Sequence, residues 1–185
     1  MTNGPTGRVD GQRIWQHRFL DAQLDQVRYP DGSVGEQVLI HHPGASAVVP
    51  FLSDPAGADP QVLLIKQYRY ATGGLLWEIP AGRLEPGEAP LTCAHRELLE
   101  ETGCTATGME HLTAFWTTPG FTNEKIHIFL ATGLTRGATA HEEDEFIEVV
   151  PMALSEALAK IEAGEITDAK TMIGLLFAAG FRAGR

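Results

Sequence analysis

The sequence contains very little cysteine: there are two in 185 residues, Cys93 and Cys104. One lies inside a predicted helix and the other just beyond its end. This spacing separates their Cα atoms by about 16 Å and excludes a disulfide between them. Neither a CxxC pair nor a zinc-type spacing of cysteine and histidine is present. We therefore expect two reduced, packed thiols in a cytoplasmic protein.

Long apolar runs and an excess of positive charge are also missing. The apolar runs fall far short of the roughly 18 residues of a membrane-spanning helix, and residues 1–12 lack the apolar segment of a secretory signal. Lysine and arginine number 14 against 24 acidic residues, a formal net charge of −10. Without a basic stripe we expect no nucleic-acid partner, and without an apolar span no membrane. Small phosphorylated substrates remain compatible with this charge if metal cations lie between them and the protein.

The rest of the composition is that of a globular protein: 43% of the residues are hydrophobic, and the length suits one domain, or one domain with an arm, better than two domains. Predicted strands come first, a helix and further strands follow, and two helices end the chain. This order is typical of the α/β (α+β) class, with a mixed β-sheet and helices packed on it. We divide the chain into an N-terminal tail and β arm, residues 1–42, and a catalytic domain, residues 43–185.

Turn residues locate the elements of the arm. We interpret residues 1–12 as a loose tail, and residues 14–29 and 34–42 as strands on either side of a turn at Pro30-Asp31-Gly32. The aromatic residues of the arm are interpreted as packing residues rather than as contacts to a nucleobase.

Proline and glycine mark the ends of a helix in the middle of the chain. Pro90 suits its first turn, and Gly103 follows its last residue, Thr102, as a stop signal. Near the C-terminus, Asp168 is a candidate cap for an apolar helix that runs through Phe177.

The middle helix carries three glutamates on one face, because Glu97, Glu100 and Glu101 follow the spacing i, i+3, i+4. Like charges at this spacing repel each other, and a hard dication such as Mg²⁺, which prefers oxygen ligands, relieves the repulsion. Arg96 can pair with Glu100 one turn further on, and we count both among the candidate catalytic residues. A bare cluster of this kind is also compatible with a solvated acidic helix.

The surrounding residues make the cluster far more specific. They match the pattern GX5EX7REUXEEXGU, in which U is apolar, and Cys104 stands at a position where an aliphatic residue is usual. On this match the chain resembles the Nudix hydrolase family, which cleaves nucleoside diphosphates linked to another moiety. The fixed positions of the pattern are Gly82, Glu88, Arg96, Glu97, Glu100, Glu101 and Gly103.

The resemblance implies a fold and a metal site. The family fold is an α/β/α sandwich around a mixed sheet, which is consistent with the predicted order of elements. By resemblance, Glu97 and Glu101 are direct metal ligands, Glu100 lies close behind them, and the carbonyl of Ala81 adds a further ligand. The expected ion is Mg²⁺, with Mn²⁺ as the alternative because both accept carboxylate oxygens.

Other residues resemble the ADP-ribose pyrophosphatase branch of the family. Pro119 lies sixteen residues after Gly103, the offset of a proline in that branch. In the same loop, Glu124 would accept a hydrogen bond from a ribose hydroxyl. Arg69 corresponds to a strand arginine that faces the pyrophosphate, and it is our candidate for a phosphate or ribose contact because a planar guanidinium suits bidentate binding.

The two ends of the chain extend this resemblance. Residues 165–171 match the start of the branch's last helix, where we interpret Asp168 and Lys170 as structural residues. The N-terminal strands resemble an arm that two subunits exchange, which implies a homodimer. In that case Arg28 and Glu36 reach the substrate of the partner subunit, although a plain surface role fits them equally well.

A second acidic cluster, residues 142–145, precedes an apolar strand. In isolation such a run indicates a solvated loop. In the ADP-ribose pyrophosphatases a catalytic glutamate lies on a loop at this place. Glu143 is therefore our first choice for the general base, and Glu145 is the second.

The sequence as a whole predicts metal-dependent hydrolysis of a small nucleoside diphosphate sugar, with ADP-ribose cleaved to AMP and ribose 5-phosphate. One alternative is another substrate of this class, such as GDP-mannose, against which Pro119 counts. The other is a nucleotide-binding module without catalytic activity. Such a module is expected to lose glutamates of the motif, and this chain retains all four.

Overall fold

The computed structural model describes residues 5–137 and 147–180 of the chain. It contains two compact units. The first takes in the chain up to Gly44 together with Phe115–Lys125, and the second takes in Ala45–Ala114 and the chain from Ile126 onward. The elements of the described residues, in chain order, are β1 (Gly7–His17), β2 (Leu20–Arg28), β3 (Val34–His41), β4 (Ala45–Pro50), β5 (Gln61–Arg69), a short 3-10 helix (Tyr70–Thr72), β6 (Gly74–Glu78), β7 (Ala81–Arg83), α1 (Pro90–Thr102), β8 (Cys104–Trp116), β9 (Lys125–Arg136), β10 (Ile147–Ala153), α2 (Leu154–Glu162) and α3 (Ala169–Gly180).

The first unit contains a three-stranded antiparallel sheet in the order β1-β2-β3. The predicted turn joins β2 to β3: the amide of Gly32, at a φ of 87°, donates to the carbonyl of Tyr29 at 2.9 Å. An ion pair of 2.8 Å between Arg8 Nε and the buried carboxylate of Asp25 connects β1 to β2. The sheet is therefore held by charge pairing as well as by its backbone hydrogen bonds.

The expectations for the N-terminus are partly wrong. Residues 7–12, interpreted as part of a loose tail, belong to β1, and a turn at Arg18 and Phe19 interrupts the strand predicted over residues 14–29. Arg18 adopts a left-handed φ of 50° in this turn. Glycine, asparagine and aspartate are the residues that favour such hairpin turns, so no local signal marked this one.

The second unit contains two sheets, and one of them is mixed, as predicted. In the four-stranded sheet, with the order β7-β4-β9-β8, β4 pairs in parallel with β9 and antiparallel with β7. Ala47 thus lies between Ile128 on one side and Ala81 on the other. The three-stranded sheet, with the order β10-β5-β6, is antiparallel throughout.

Helices pack on both faces of β4, which confirms the predicted α/β/α sandwich. Successive side chains of a strand point to opposite faces. Val48 belongs to a buried cluster with Ala94 and Leu98 of α1. Its neighbour Val49 faces α3, where a Cβ added to Gly174 would lie 2.9 Å from its Cγ2. All six residues of β4 are buried because both of its faces are covered.

Helix α1 begins and ends where the sequence predicted. Pro90 occupies its first turn, and Gly103, at a φ of 68°, closes it by donating from its amide to the carbonyl of Leu99 at 2.8 Å. Cys93 within the helix and Cys104 just beyond it are both buried free thiols, as expected. Across the described ranges, no helix combines the length and the apolar character needed to cross a membrane.

Candidate active site

The glutamates of α1 approach the short strand β7. Glu97 and Glu101 are buried, with 8% and 2% of their surface exposed, whereas Glu100 is partly exposed. A buried carboxylate requires hydrogen-bond partners. Glu101 has one in Ala81, whose amide donates to Oε2 at 2.9 Å. This bond fixes the peptide of Ala81 beside the helix, and the role of its carbonyl as a metal ligand stays a prediction.

Gly82 makes room for the carboxylate of Glu97. A Cβ at position 82 would overlap all three atoms of that carboxylate group. The φ of Gly82 is not positive, so the need for glycine here comes from close approach and not from backbone conformation. The first fixed position of the motif therefore has a steric reason.

Arg96 joins three of the motif's glutamates. Its Nε and Nη2 donate to the two oxygens of Glu88 at 3.0 and 2.9 Å. Its Nη1 donates to Glu97 at 2.6 Å and to Glu100 at 2.9 Å, so the predicted pairing with Glu100 is present. The hydrogen bond from Arg96 lowers the pKa of Glu88, and the hydrogen bond to Glu88 raises the pKa of Arg96.

Cys93 lies behind this cluster with its thiol buried. Its Sγ is 3.5 Å from the carbonyl oxygen of Gly82 and 3.4 Å from that of Arg83. Burial, followed by the negative charge of Glu97, raises the pKa of the Cys93 thiol to about 12. At neutral pH the thiol is therefore protonated and can donate to these carbonyls, which helps to keep β7 against α1.

The donor set fits a hard divalent cation. Within the described ranges, no three acidic, histidine or cysteine side chains converge into a complete metal cage. Arg96 bonds Glu97 and Glu100, and the backbone of β7 bonds Glu101. Mg²⁺, however, is usually held by one or two carboxylates together with substrate phosphates. Glu88, Glu97 and Glu100 bring three formal negative charges to the one positive charge of Arg96, and Glu101 adds a fourth beside β7, so the cluster is suited to cations.

Arg69 forms a second charged cluster at the end of β5. Its Nε and Nη2 donate to the two oxygens of Glu78 at 2.7 and 2.8 Å. Glu78 is 1% exposed, and Lys170 of α3 donates to its Oε2 as well. Burial alone would raise the pKa of Glu78, but the hydrogen bond and the charges of Arg69 and Lys170 outweigh it and lower that pKa.

The start of α3 is tied to the same place. Asp168 accepts from the amide and the hydroxyl of Thr171 at 3.0 and 2.6 Å, which confirms it as the predicted cap. The hydroxyl of Thr171 also accepts from the amide of Ile79 at 2.8 Å. Lys170 lies 3.1 Å from Asp168, so both residues have the structural contacts expected of them.

Glu78 was missed by the sequence analysis. A signal was present, because an acidic residue near the end of an apolar strand, residues 75–79, is unusual unless it is paired. The signal can be interpreted only once the structure shows that Arg69 of β5 and Lys170 of α3 contact Glu78.

The remaining predicted site residues of the described ranges lie in the first unit. Glu124 is partly buried, accepts from the hydroxyl of Thr117 at 2.9 Å, and shares its loop with the exposed Pro119. Arg28 and Glu36 lie on the same face of the arm sheet. Arg28 of β2 is directly opposite Val34 of β3, and Glu36 lies two residues after Val34 on β3, so the two share a face. Glu143 and Glu145, the candidate bases, lie outside the described residues.

Comparison with known proteins gives consistent matches. A family model described as a NUDIX domain matches residues 42–172. A methanol dehydrogenase activator of Bacillus methanolicus is 38% identical over 91% of this chain and 90% of its own. An ADP-ribose pyrophosphatase of Bacillus subtilis is also 38% identical, over 90% and 88% respectively. A GDP-mannose pyrophosphatase of Cronobacter sakazakii is 41% identical over 60% of this chain and 63% of its own.

A solved structure shares the fold. The crystal structure of an ADP compounds hydrolase matches with a TM-score of 0.82, covering 100% of this chain and 97% of that chain. Sequence identity is 20%, so this match supports the architecture alone.

Proposed function

The chain belongs to the Nudix family, and on that premise we propose that it is a metal-dependent pyrophosphatase that hydrolyses ADP-ribose to AMP and ribose 5-phosphate. The observation that carries the proposal is the glutamate cluster of α1 in a chain that is 38% identical to an ADP-ribose pyrophosphatase over 90% of its length. Three of the motif's four glutamates bond to Arg96 and the fourth bonds to the backbone of β7, an arrangement for which a non-catalytic binding module has no need.

The cofactor is a divalent cation, and we propose Mg²⁺, with Mn²⁺ as the alternative. Glu97, Glu101 and the carbonyl of Ala81 would hold it, with Glu100 close behind. When bound, such ions neutralise phosphate charge and lower the pKa of a coordinated water. Arg96 orients Glu97 and Glu100 through its 2.6 and 2.9 Å hydrogen bonds, which we take to be its catalytic contribution.

The chain's own residues account for the other requirements of the reaction. We propose that Glu143, or failing that Glu145, takes a proton from the attacking water. The oxygen of that water bonds to one phosphorus, and the bond from that phosphorus to the bridging oxygen breaks. Arg69 is proposed to bind the pyrophosphate through its guanidinium, because its side chain keeps 39% of its surface exposed.

Residues of the first unit are proposed to add specificity. Glu124 is our candidate for a ribose hydroxyl, with Pro119 shaping its loop, and Arg28 and Glu36 are candidates for contacts to a partner subunit's substrate. Glu124→Gln should raise the KM for ADP-ribose more than the KM for ADP-glucose, which has glucose in place of the second ribose.

We also propose a cytoplasmic homodimer in which residues 1–42 form the arm and residues 43–185 the catalytic domain. The arm carries apolar side chains that are each more than a third exposed, and exposed apolar surface of this kind is typical of association sites. A sedimentation mass near the 20.0 kDa of one chain would contradict the dimer. The exposed apolar side chains of the arm are Val9, Ile14, Trp15, Phe19, Tyr29, Val34 and Val38.

A product assay tests the function. Purified protein is incubated with Mg²⁺ and, separately, ADP-ribose, ADP-glucose, GDP-mannose, diadenosine polyphosphates and 8-oxo-dGTP. We expect AMP and ribose 5-phosphate, formed fastest from ADP-ribose. Faster turnover of GDP-mannose would favour the alternative that its 41% identical relative suggests. No turnover of any of these substrates would contradict the enzymatic proposal. It would favour a binding role instead, for which the relative named as an activator is a precedent.

The metal assignment has its own variant. Glu97→Gln keeps the size of the side chain but removes its charge, and it should lower kcat by about 100-fold or more while the fold is retained. Glu156→Gln, on the exposed face of α2, is the matched control and should stay within about twofold of wild type. Near-normal turnover of Glu97→Gln under saturating Mg²⁺ would show that the metal assignment is wrong.

A further inference from the structure

Charges alternate along the second cluster of the catalytic unit, from β5 to α3. Arg69 is followed by Glu78, then by Lys170, and then by Asp168, each in contact with the next. The outer members are the most exposed: Arg69 keeps 39% of its side chain exposed and Asp168 keeps 17%, whereas Lys170 keeps 12% and Glu78 keeps 1%. The chain of charges is therefore most deeply buried at Glu78 and is most exposed at Arg69.

Glu78 determines which edge of the Arg69 guanidinium is used. A guanidinium offers one bidentate edge through Nε and Nη2, and another through its two Nη atoms. Glu78 takes the first edge with bonds of 2.7 and 2.8 Å. The second edge, which includes Nη1, is not engaged by Glu78 and is suited to a phosphate.

Lys170 bears on this arrangement through Glu78. A carboxylate that is 1% exposed needs compensation to remain charged. Arg69 alone would have to supply it and at the same time attract a substrate phosphate. With Lys170 on Oε2, the charge of Glu78 is shared between two cations. Arg69 then retains more of its positive charge for an anion.

We propose that Glu78 and Lys170 are positioning residues for Arg69, so that the start of α3 sets the affinity of the site for the substrate pyrophosphate. This proposal rests on the proposed function, in which Arg69 contacts that pyrophosphate. Neither residue belongs to the glutamate motif, and Lys170 lies 74 positions after Arg96 in the sequence.

A double-mutant cycle tests the proposal. Lys170→Met removes the charge but keeps the length of the side chain, and it should raise KM about tenfold while kcat changes less than twofold, because Arg69 binds ground state and transition state alike. Lys170→Arg should restore KM to within about twofold. In an Arg69→Ala background, Lys170→Met should have no further effect on KM, because its action passes through Arg69.

Controls separate positioning from stability. Lys160→Met is the matched variant: Lys160 is also an ion-paired lysine of the second unit, but its partner is Glu165, at 2.8 Å, whereas Glu78 pairs with Arg69 and Lys170. It should leave KM unchanged. Lys170→Gln, which can still donate a hydrogen bond to Glu78, replaces Lys170→Met in the cycle if the latter does not fold, as judged by thermal unfolding.

Two results would overturn the proposal. The first is an effect of Lys170→Met on KM that is as large in the Arg69→Ala background as in the wild type. The second is a loss of kcat with KM unchanged. The cycle is run on whichever pyrophosphate compound the wild-type protein turns over fastest. A wild type that is slow on ADP-ribose but fast on another compound therefore refutes the substrate assignment alone, and the cycle still decides the role of Lys170.

Discussion

A hydrogen atom at position 82 allows the buried carboxylate of Glu97 to lie against strand β7. Gly82 has no strained φ to satisfy, and the space that its missing side chain leaves is filled by the carboxylate. The requirement at this residue is therefore steric, and it acts on a proposed metal ligand. A substitution that adds one methyl group tests it directly.

We predict that Gly82→Ala displaces Glu97 and costs about 1–3 kcal/mol of stability, the usual effect of overpacking. The loss of kcat should be larger than the loss of stability alone explains, because the proposed metal ligand moves while the rest of α1 stays in place. Thermal unfolding and the product assay measure the two effects. Gly74→Ala is the matched control, because a Cβ there meets no atom within 4 Å. A fully active Gly82→Ala would refute the role given to this contact.

The placements and contacts that depend on local spacing were predicted correctly. The placement of Glu97, Glu100 and Glu101 on one helix face follows from helical periodicity alone, and the pairing of Arg96 with Glu100 follows from the i, i+4 rule. The bidentate bond between Arg96 and Glu88 was not predicted, because Glu88 lies in the loop before the helix. The role of Glu78 depends on partners from two other elements, and periodicity within one element carries no such information.

Among the elements, α3 depends most visibly on a single side chain at its start. Asp168 accepts hydrogen bonds from both the amide and the hydroxyl of Thr171. The hydroxyl of Thr171 in turn accepts from the amide of Ile79, which directly follows β6. The cap therefore orders the helix and also attaches it to the sheet. Its loss should be measurable as a change in global stability.

We predict that Asp168→Ala costs about 0.5–2 kcal/mol of unfolding free energy, as the loss of an N-terminal cap does. Asp168→Asn should retain most of that stability, because asparagine caps a helix about as well as aspartate. Chemical denaturation of the two variants and the wild type gives the comparison. Equal losses in both variants would mean that the charge of Asp168 toward Lys170, and not the cap, provides the stabilisation.

Element boundaries were predictable where stereochemistry sets them. Pro90 and Gly103 bound α1 because one lacks an amide hydrogen and the other tolerates a left-handed φ. The start of β1 was missed because its residues are mainly polar and glycine-rich, and the arm sheet binds them through cross-strand pairs such as Arg8 with Asp25. Such pairing is non-local and has no signature within the strand itself.

At the scale of the whole molecule, carboxylates paired with arginine make the stability depend on pH. The pKa values of Glu88 and Glu78 are both lowered, by Arg96 in one case and by Arg69 and Lys170 against burial in the other. A group whose folded pKa is lowered stabilises the fold above its unfolded pKa, which is about 4.3 for glutamate. That stabilisation disappears as the pH falls through the folded value.

We predict that Tm falls as the pH is lowered from 5 toward 3, and that Glu88→Gln reduces the size of that fall. The variant should have a lower Tm than wild type at pH 7, where the ionised pair contributes fully, and the two curves should converge at low pH. Thermal unfolding followed by circular dichroism in matched buffers measures both. Parallel curves across the whole range would contradict the prediction.

The architecture was predictable as a class but not in its pairing order. The order of strand and helix signals indicated a mixed sheet with helices on it, and β4 between its parallel and antiparallel neighbours fits that description. The neighbours of β4 are strands that lie far from it in sequence, and the choice among them depends on packing against both faces. A single sequence contains little information about that choice.

The two buried thiols can be used to measure how often the ends of α1 become exposed. Cys93 lies in the first half of the helix and Cys104 just beyond its end. Alkylating reagents attack exposed thiolates, so neither cysteine should be modified until this part of the molecule opens. The rate of alkylation, resolved by peptide mass for each cysteine, thus measures how often either end of the helix is released. Slower alkylation in the presence of Mg²⁺ or nucleotide would show that ligand binding reduces the opening of the glutamate helix. The measurement uses the wild-type sequence and requires no turnover.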